Sequence, residues 1–210
     1  MKKQILTTAL LVFMFVGCTA QTTIKLPEPQ KTGGMPLMEA LNNRKTQRNF
    51  SERELSQQQL SNLLWAATGV NREDGRMTAP TASNHQQMVI FVALKNGVYQ
   101  YFPQTHELKL HLAGDHRLVF ARQQPTFNAP VLLAFVSDWD KMTRYDNDET
   151  KKKYSKTDAG NISQNVYLYC ASEGMATVAI GNFDAELFSK TLKLGSNYYP
   201  VINQAVGFPQ

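Results

Sequence analysis

Hydrophobic and polar positions follow helical spacing in one part of the chain and strand-like runs in another. The stretch 56–68 places its leucines three and four positions apart, as on one face of a helix. Ser56 and Gln59 form a capping-box pattern at its start, and Gly69 suits its end. The sequence therefore predicts a helix over 56–68.

Continuous apolar runs predict buried strands. "MVIFVAL" (88–94) and "VLLAFVS" (131–137) are apolar along their whole length, as expected of strands covered on both faces. Asn96-Gly97 predicts a tight hairpin that joins the first run to "VYQYF" (98–102). Further strands are predicted at "ELKLHL", at 175–180 and at "PVINQAVGF" near the end of the chain.

Several other helices are predicted from their caps and stops. Pro36 suits the first turn of a helix over "PLMEALNN". The others are a helix over 116–124, a solvated helix or lid over 138–157, a long helix from Asp158 to Glu173 that ends at Gly174, and "AELFSKTLK" capped by Asp184. Together the elements predict an α+β fold with a central, mainly antiparallel sheet flanked by helices.

The first 34 residues differ from the rest. Lys2 and Lys3 precede an apolar run, Ile5 to Val16, that is too short to cross a bilayer and has the pattern of a secretory signal. "FVGC" resembles the lipobox of bacterial lipoproteins, which predicts lipidation of Cys18; cleavage of an ordinary signal near Ala20 is the alternative. We expect a signal peptide over 1–17, a flexible tether over 18–34 and a folded domain over 35–210.

This pattern predicts an exported protein, anchored by lipid in the bacterial cell envelope on its periplasmic or surface side. Without residues 1–17 the net charge falls from +5 to +3, because Lys2 and Lys3 are lost and no acid is. A charge of that size, without a basic stripe, gives no support for a nucleic-acid partner. Cys170 lies in the apolar "VYLYCAS" and is expected to be a small buried hydrophobe.

Common catalytic motifs are absent from the sequence. It contains no GxGxxG, no GxxxxGK[ST] and no GxSxG. Its four histidines, at 85, 106, 111 and 116, have no metal-ligand spacing, so no metal site is predicted. Hydrolase and metalloenzyme functions have little support, and a bound organic cofactor becomes a candidate source of the chemistry.

Positive charge is concentrated in "NNRKTQRNF" (42–50). Arg44, Lys45 and Arg48 lie close together around Thr46, and the next acidic residue is Glu52. Two arginines four positions apart on one helical face would repel each other. A dianion bound by both would make their proximity favourable. The cluster by itself is explained either by a solvated surface turn or by an anion site.

Five segments, taken in order, resemble the FMN-dependent nitroreductase family across about residues 36–210. They are "NRKTQRNF", "PTASNHQ" (80–86), "DAGNISQNVYLYCASEGMAT" (158–177), "IGNFD" (180–184) and "QAVGFP". The stretch "VYQYFPQTHELKLHLAGDHR" resembles the branch that includes the thiazoline/oxazoline dehydrogenases of peptide maturation. The resemblance implies the nitroreductase-like fold, a homodimer and bound FMN.

The resemblance also implies roles for individual residues. Arg44, Lys45, Thr46 and Arg48 would hold the FMN phosphate and ribityl chain. Pro80, Thr81, Ala82, Asn84 and Gln86 would approach the flavin from the second subunit. Ile180 would pack near the ring, and the backbone N–H of Gly181 or Asn182 would point at flavin N5, where a donor stabilises the reduced ring.

Two positions depart from the family pattern. Many members carry a basic residue after the last strand, whereas this sequence ends in "GFPQ", and Gln87 stands where proline is usual. Each motif also has a purely structural explanation. Asn84 and Gln86 would satisfy loop backbone groups, Gln164 and Asn165 would bond the sheet edge from their helix, and Gly181-Asn182 would be an ordinary turn.

The resemblance implies an oxidoreductase without an assignable acid–base side chain. A donor such as NAD(P)H would reduce the flavin, and an electrophile such as a nitroaromatic or a quinone would take the electrons. One alternative is an azoline-type peptide dehydrogenase whose substrate is presented by a partner protein. Another is a non-catalytic lipoprotein, with or without flavin, that works by interaction alone.

Overall fold

One antiparallel sheet organises the chain in a computed structural model that describes residues 22–122 and 126–210. The strands are β1 (Thr23–Lys25), β2 (Met88–Leu94), β3 (Gly97–Phe102), β4 (Glu107–Ala113), β5 (Val131–Asp138), β6 (Ala176–Ile180) and β7 (Tyr198–Gly207). Their order in the sheet is β1-β4-β3-β2-β5-β7-β6, and each neighbouring pair is antiparallel. The predicted α+β class with a mainly antiparallel sheet is confirmed.

Helices cover both faces of this sheet. They are α1 (Leu37–Asn43), α2 (Gln57–Thr68), α3 (Asp148–Ser172) and α4 (Ala185–Thr191). Short 3-10 turns occur at Ala82–Asn84, Arg117–Val119, Thr126–Asn128 and Trp139–Lys141. Within the described ranges, no helix has both the length and the apolar character needed to cross a membrane.

The two central strands β2 and β5 are buried on both faces, which explains their continuous apolar sequences. Ile90 and Phe135 belong to the core that includes residues of α2 and α3. Phe91 and Ala134, on alternate positions, belong to a second core that includes Phe188 of α4. Burial on both faces removes the polar alternation of a half-exposed strand.

Local signals predicted several boundaries correctly. Ser56 caps α2 in a complete capping box with Gln59, and Asp184 caps α4 through the backbone N–H of Leu187. The hairpin is also confirmed, with Gly97 paired to Leu94 as the first residue of β3. A Cβ on Gly97 would lie 2.8 Å from Leu110 Cδ1, so close approach of β4 explains the glycine.

The predicted tether is wrong for its described part. Residues 23–25 form β1, which pairs with β4, and Leu26 is 9% exposed within the core. Met35 also donates its backbone N–H to Ser172 Oγ at 2.7 Å. The partner residues lie far away in the sequence, so composition alone suggested a linker. Cys18 and the signal segment lie outside the described residues, and lipidation stays a prediction.

Two helix predictions also need correction. Asn147, not Asp158, caps the long helix, because its side chain accepts from the N–H of Thr150. Asp158 is instead buried within α3. The expected helix over 116–124 is limited, in its described part, to a short 3-10 turn at Arg117–Val119.

A histidine network attaches the N-terminal segment to the sheet. His106 Nε2 lies 2.7 Å from Ser61 Oγ, and His106 Nδ1 lies 2.8 Å from Tyr101 Oη. Ser61 also donates to the carbonyl of Pro27 at 2.6 Å, and Leu26 donates its N–H to the His106 carbonyl. Because the Ser61 proton is committed to Pro27, Nε2–H is the donor, and the neutral ring accepts from Tyr101.

Burial lowers the pKa of His106, with Glu28 opposing this shift and Lys31 adding to it. The unfolded chain therefore binds a proton more readily than the folded chain as the pH falls through the histidine range. We expect the free energy of unfolding to decrease between pH 7.5 and pH 5, and to decrease less in His106→Asn. Asparagine suits the left-handed backbone there, where φ is +52°.

Urea unfolding at both pH values measures this effect, and His116→Asn is the control because the ring of His116 bonds a carbonyl only three residues away in the sequence. An equal pH dependence in wild type and His106→Asn would contradict the assignment to His106.

Candidate functional site

The basic segment 44–48 is extended rather than helical. Helix α1 ends at Asn43, and Arg44 is its C-cap with φ −58° and ψ 122°. Arg44 and Arg48 therefore do not share a helical face, contrary to the interpretation of their spacing. Gln47 donates its backbone N–H to the carbonyl of Thr177 at 3.0 Å, so the segment follows the free edge of β6.

Tyr167 of α3 connects this segment to β6. Its hydroxyl oxygen accepts the backbone N–H of Ala179 at 3.0 Å and lies 3.2 Å from Thr46 Oγ1. The Arg44 guanidinium lies 5.4 Å from the centre of the Tyr167 ring, within the range of cation–π contacts. Tyr167 thus positions Arg44 and Thr46. These two residues, together with Lys45 and Arg48, form the predicted phosphate clamp, called the clamp below.

The backbone alternation of β6 brings the predicted ring-binding turn to the same edge. In an antiparallel strand, every second residue directs its N–H and C=O away from the bonded neighbour. Thr177 and Ala179 do so, because they contact Gln47 and Tyr167 instead of β7. The next position in this alternation is Gly181, about 7 Å further along. Gly181 directly follows the end of β6, so the predicted ring-binding turn continues the strand that the segment 44–48 contacts.

The clamp is electrostatically uncompensated. Arg44 is half-buried, whereas Lys45 and Arg48 are exposed. The ion pairs of the described residues are formed by other basic side chains, at 31, 76, 117 and 122, and none includes the clamp. Beneath the clamp, Lys45, Gln47 and Tyr167 contribute to a cavity of about 350 Å³. This combination can accept an anion.

The chain terminus lies against the residues that follow the clamp. Phe50 forms an isolated bridge with Pro209, and Ser51 donates its N–H to the Phe208 carbonyl at 2.9 Å. The Arg53 guanidinium lies 3.8 Å from the centre of the Phe208 ring. Sequence reasoning did not identify Arg53, because its link to the terminus is visible only in three dimensions.

The loop 80–86 is held in an unusual conformation. Ser83, Asn84 and Gln86 all have positive φ, at 52°, 54° and 49°, although none is glycine. Gln86 donates its N–H to Thr81 Oγ1 at 3.0 Å, and Ser83 Oγ lies 3.1 Å from Tyr145 Oη. Pro80 is exposed at the start of this loop.

One chain does not bring this loop to its own clamp. The loop contacts α3 at Asp158, which accepts the N–H of Ala82, whereas the clamp contacts α3 at Tyr167. The two positions are nine residues apart, which corresponds to about 13 Å along a helix and to opposite faces. Within one chain the loop and the clamp therefore contact opposite faces of α3.

Some predicted residues have structural contacts of their own. The side chain of Gln86 donates to the carbonyl of Gly75 at 3.1 Å, as its structural explanation expected. Gln164 is exposed, and Asn165 lines a cavity beside α2, so neither is seen to bond the sheet edge. Cys170 is fully buried, and burial raises the pKa of its thiol. No cluster of potential metal ligands occurs in the described ranges.

Comparison with known proteins identifies the family. The model of the nitroreductase family matches residues 41–208. A nitroreductase relative from Methanocaldococcus jannaschii is 30% identical over 194 residues, which cover 88% of this chain and 95% of the relative.

Solved structures give the same result. A nitroreductase from Ralstonia eutropha is 35% identical, with a TM-score of 0.83 over 97% of this chain and 96% of its own. An NAD(P)H:FMN oxidoreductase from Staphylococcus epidermidis shares the fold at 17% identity, with a TM-score of 0.64 over 86% of this chain and 91% of its own. These matches confirm the nitroreductase-like fold, and the chain belongs to the nitroreductase family.

Proposed function

We propose that this protein is an FMN-dependent oxidoreductase that passes electrons from a donor such as NAD(P)H to a small electrophile such as a nitroaromatic or a quinone. Membership of the nitroreductase family supports an oxidoreductase. The observation that carries the proposal is the contact set of Tyr167, which joins an uncompensated basic segment to Ala179 of β6, two residues before Gly181.

The residues of the clamp fit the phosphate and ribityl chain of FMN. Arg44 and Arg48 can form charge-assisted hydrogen bonds to a phosphate, Lys45 adds a further positive charge, and the Thr46 hydroxyl can bond the ribityl chain. Their charges have no acidic partner in the described part of the chain, so an anion would relieve their mutual repulsion.

The turn after β6 fits an approaching ring. A Cβ built on Gly181 meets no atom of the described chain within 4 Å, so packing within the chain does not explain the glycine. Absence of a side chain lets a ligand approach the backbone closely, beside Ile180 and Asn182. When bound, the flavin supplies a ring that accepts a hydride and releases the electrons to an acceptor. The protein orients the ring and donates hydrogen bonds to it.

We also propose that the active species is a homodimer. Leu37, Met38 and Leu41 of α1 are 62%, 76% and 43% exposed, which leaves an apolar surface just before the clamp. Exposed apolar patches of this kind commonly mark protein contacts. A second protomer would cover this surface and bring its loop 80–86, with Asn84 and Gln86, to the flavin.

The two other functions from the sequence stay hypotheses, as does assignment to the thiazoline/oxazoline branch. An azoline-type peptide dehydrogenase would oxidise a presented peptide, and a non-catalytic lipoprotein would show no turnover. Export and lipid anchoring through Cys18 are likewise proposals from the sequence, which labelling of cells with a radioactive fatty acid would test.

We expect the purified domain to show flavin absorption bands, or to acquire them on titration with FMN. NADPH oxidation that depends on a nitro compound or a quinone would then distinguish electron transfer to small acceptors from the alternatives. A protein that stays colourless and binds no FMN on titration would rule out the proposal.

Removal of the clamp arginines should weaken flavin binding. Because a hydrogen bond to a charged group contributes about 1.5–3 kcal/mol, we expect Arg48→Ala to raise the Kd for FMN about 10- to 100-fold, and Arg44→Ala/Arg48→Ala to raise it further. Fluorescence titration measures the Kd, and circular dichroism checks the fold. Lys109→Ala removes a charge from β4 and serves as the control. Unchanged affinity in the double variant would refute this phosphate position.

Tyr167 offers a finer test, because phenylalanine keeps the ring but removes the hydroxyl. Tyr167→Phe loses the bonds to Ala179 and Thr46, and we expect FMN binding to weaken about 2- to 10-fold. Tyr169→Phe is a matched control on the same helix, since Tyr169 Oη bonds residues of α2, the Gln59 carbonyl and the Asn62 side chain, away from the clamp. Equal losses in both variants would argue against a specific role for Tyr167.

A further inference from the structure

A buried carboxylate in the middle of α3 is directed at the loop 80–86. Asp158 is 3% exposed. Its Oδ2 accepts the backbone N–H of Ala82 at 3.0 Å and the side-chain N–H of Gln87 at 2.7 Å. None of the ion pairs among the described residues includes Asp158. Burial of a carboxylate without a cation is costly, and both of its bonds are made to the loop and the residue that follows it.

The loop needs such a constraint because its backbone is unfavourable. Ser83, Asn84 and Gln86 occupy the left-handed region, which non-glycine residues rarely adopt. Conformations of this kind persist only when the surroundings determine them, and they concentrate at functional sites. Ala82, bound by Asp158, directly precedes the first of these residues.

Gln87 completes the arrangement from the other side. It is fully buried, and its backbone carbonyl accepts the N–H of Asp138 in β5. Its side-chain Oε1 has no hydrogen-bond partner within the described part of the chain. An apolar residue at this position would avoid the cost of burying an unpaired oxygen. The bond from Gln87 Nε2 to Asp158 is therefore the interaction that the glutamine provides. A proline, the usual residue at this place in the family pattern, has no side-chain donor.

We infer that Asp158 and Gln87 are positioning residues, which fix the loop 80–86 in the conformation that presents Asn84 to the flavin of the partner protomer. The inference rests on the proposed function for its flavin role. Its structural part, the restraint of the loop by Asp158, can be measured in the protein without flavin.

Two readouts test the inference in the full domain. Hydrogen exchange of the peptide 80–87, without flavin, reports how well the loop is ordered. FMN titration reports whether that order matters for flavin binding. We expect Asp158→Ala to raise exchange and the FMN Kd about 10-fold or more, because two bonds to a charged acceptor are lost. Asp158→Asn keeps an oxygen that can accept a hydrogen bond, and it should restore part of both the slow exchange and the FMN affinity. Gln87→Met removes one bond and should give a smaller change.

Ser155→Ala is the matched control. Ser155 is also buried on α3, but its hydroxyl bonds Ser137 Oγ, Met142 Sδ and the Lys151 carbonyl rather than a residue of 80–87. We expect this variant to leave exchange over 80–87 and FMN binding unchanged. If Asp158→Ala does not fold, Gln87→Met carries the same test.

The outcomes separate the inference from the proposed function. Unchanged exchange over 80–87 in the Asp158 and Gln87 variants would overturn the restraint, even if wild type binds FMN. Faster exchange with unchanged FMN affinity, while the clamp arginines still matter, would overturn the positioning role alone. Failure of wild type to bind FMN would overturn the flavin role together with the proposed function. Faster exchange and weaker FMN binding in Asp158→Ala, both partly restored in Asp158→Asn, would support the inference.

Discussion

The free edge of β6 is the constraint on which the site depends. An edge strand presents N–H and C=O groups that need partners. Here the Thr177 carbonyl accepts the N–H of Gln47, and the Ala179 N–H donates to Tyr167 Oη, so neither bond is made to another strand. Because Gln47 belongs to the basic segment, satisfying this edge also holds that segment against β6, the strand that leads into Gly181. Backbone hydrogen bonding therefore places the charged segment and the glycine-containing turn along one strand.

Helix α3 extends this principle to two separate surfaces. It spans 25 residues and uses Tyr167 on one face and Asp158 on the opposite face. Tyr167 holds the clamp, and Asp158 holds the loop 80–86, so one rigid element sets both positions. Within one chain the two surfaces are separated by the helix itself, and this separation supports the proposed homodimer.

Local chemistry made part of this structure predictable. The caps of α2 and α4 and the apolar strands β2 and β5 were correctly predicted, because their signals lie within a few residues. Strand β1 was missed, since it depends on pairing with β4. Tyr167 was missed for the same reason, because its contact with Thr46 joins residues 121 positions apart. A buried aspartate within a helix and a helix cap also look alike in sequence, which explains the error at Asp158.

An arginine that follows the clamp lies against the residues that follow β7. The bridge between Phe50 and Pro209 brings the residues after the clamp to this terminus, and Arg53 lies over the Phe208 ring. An aromatic face favours a cation above it even when the site is open to solvent. Arg53 therefore places a positive charge beside the end of β7, and its position depends on the contacts of residues 50 and 51 with residues 208 and 209.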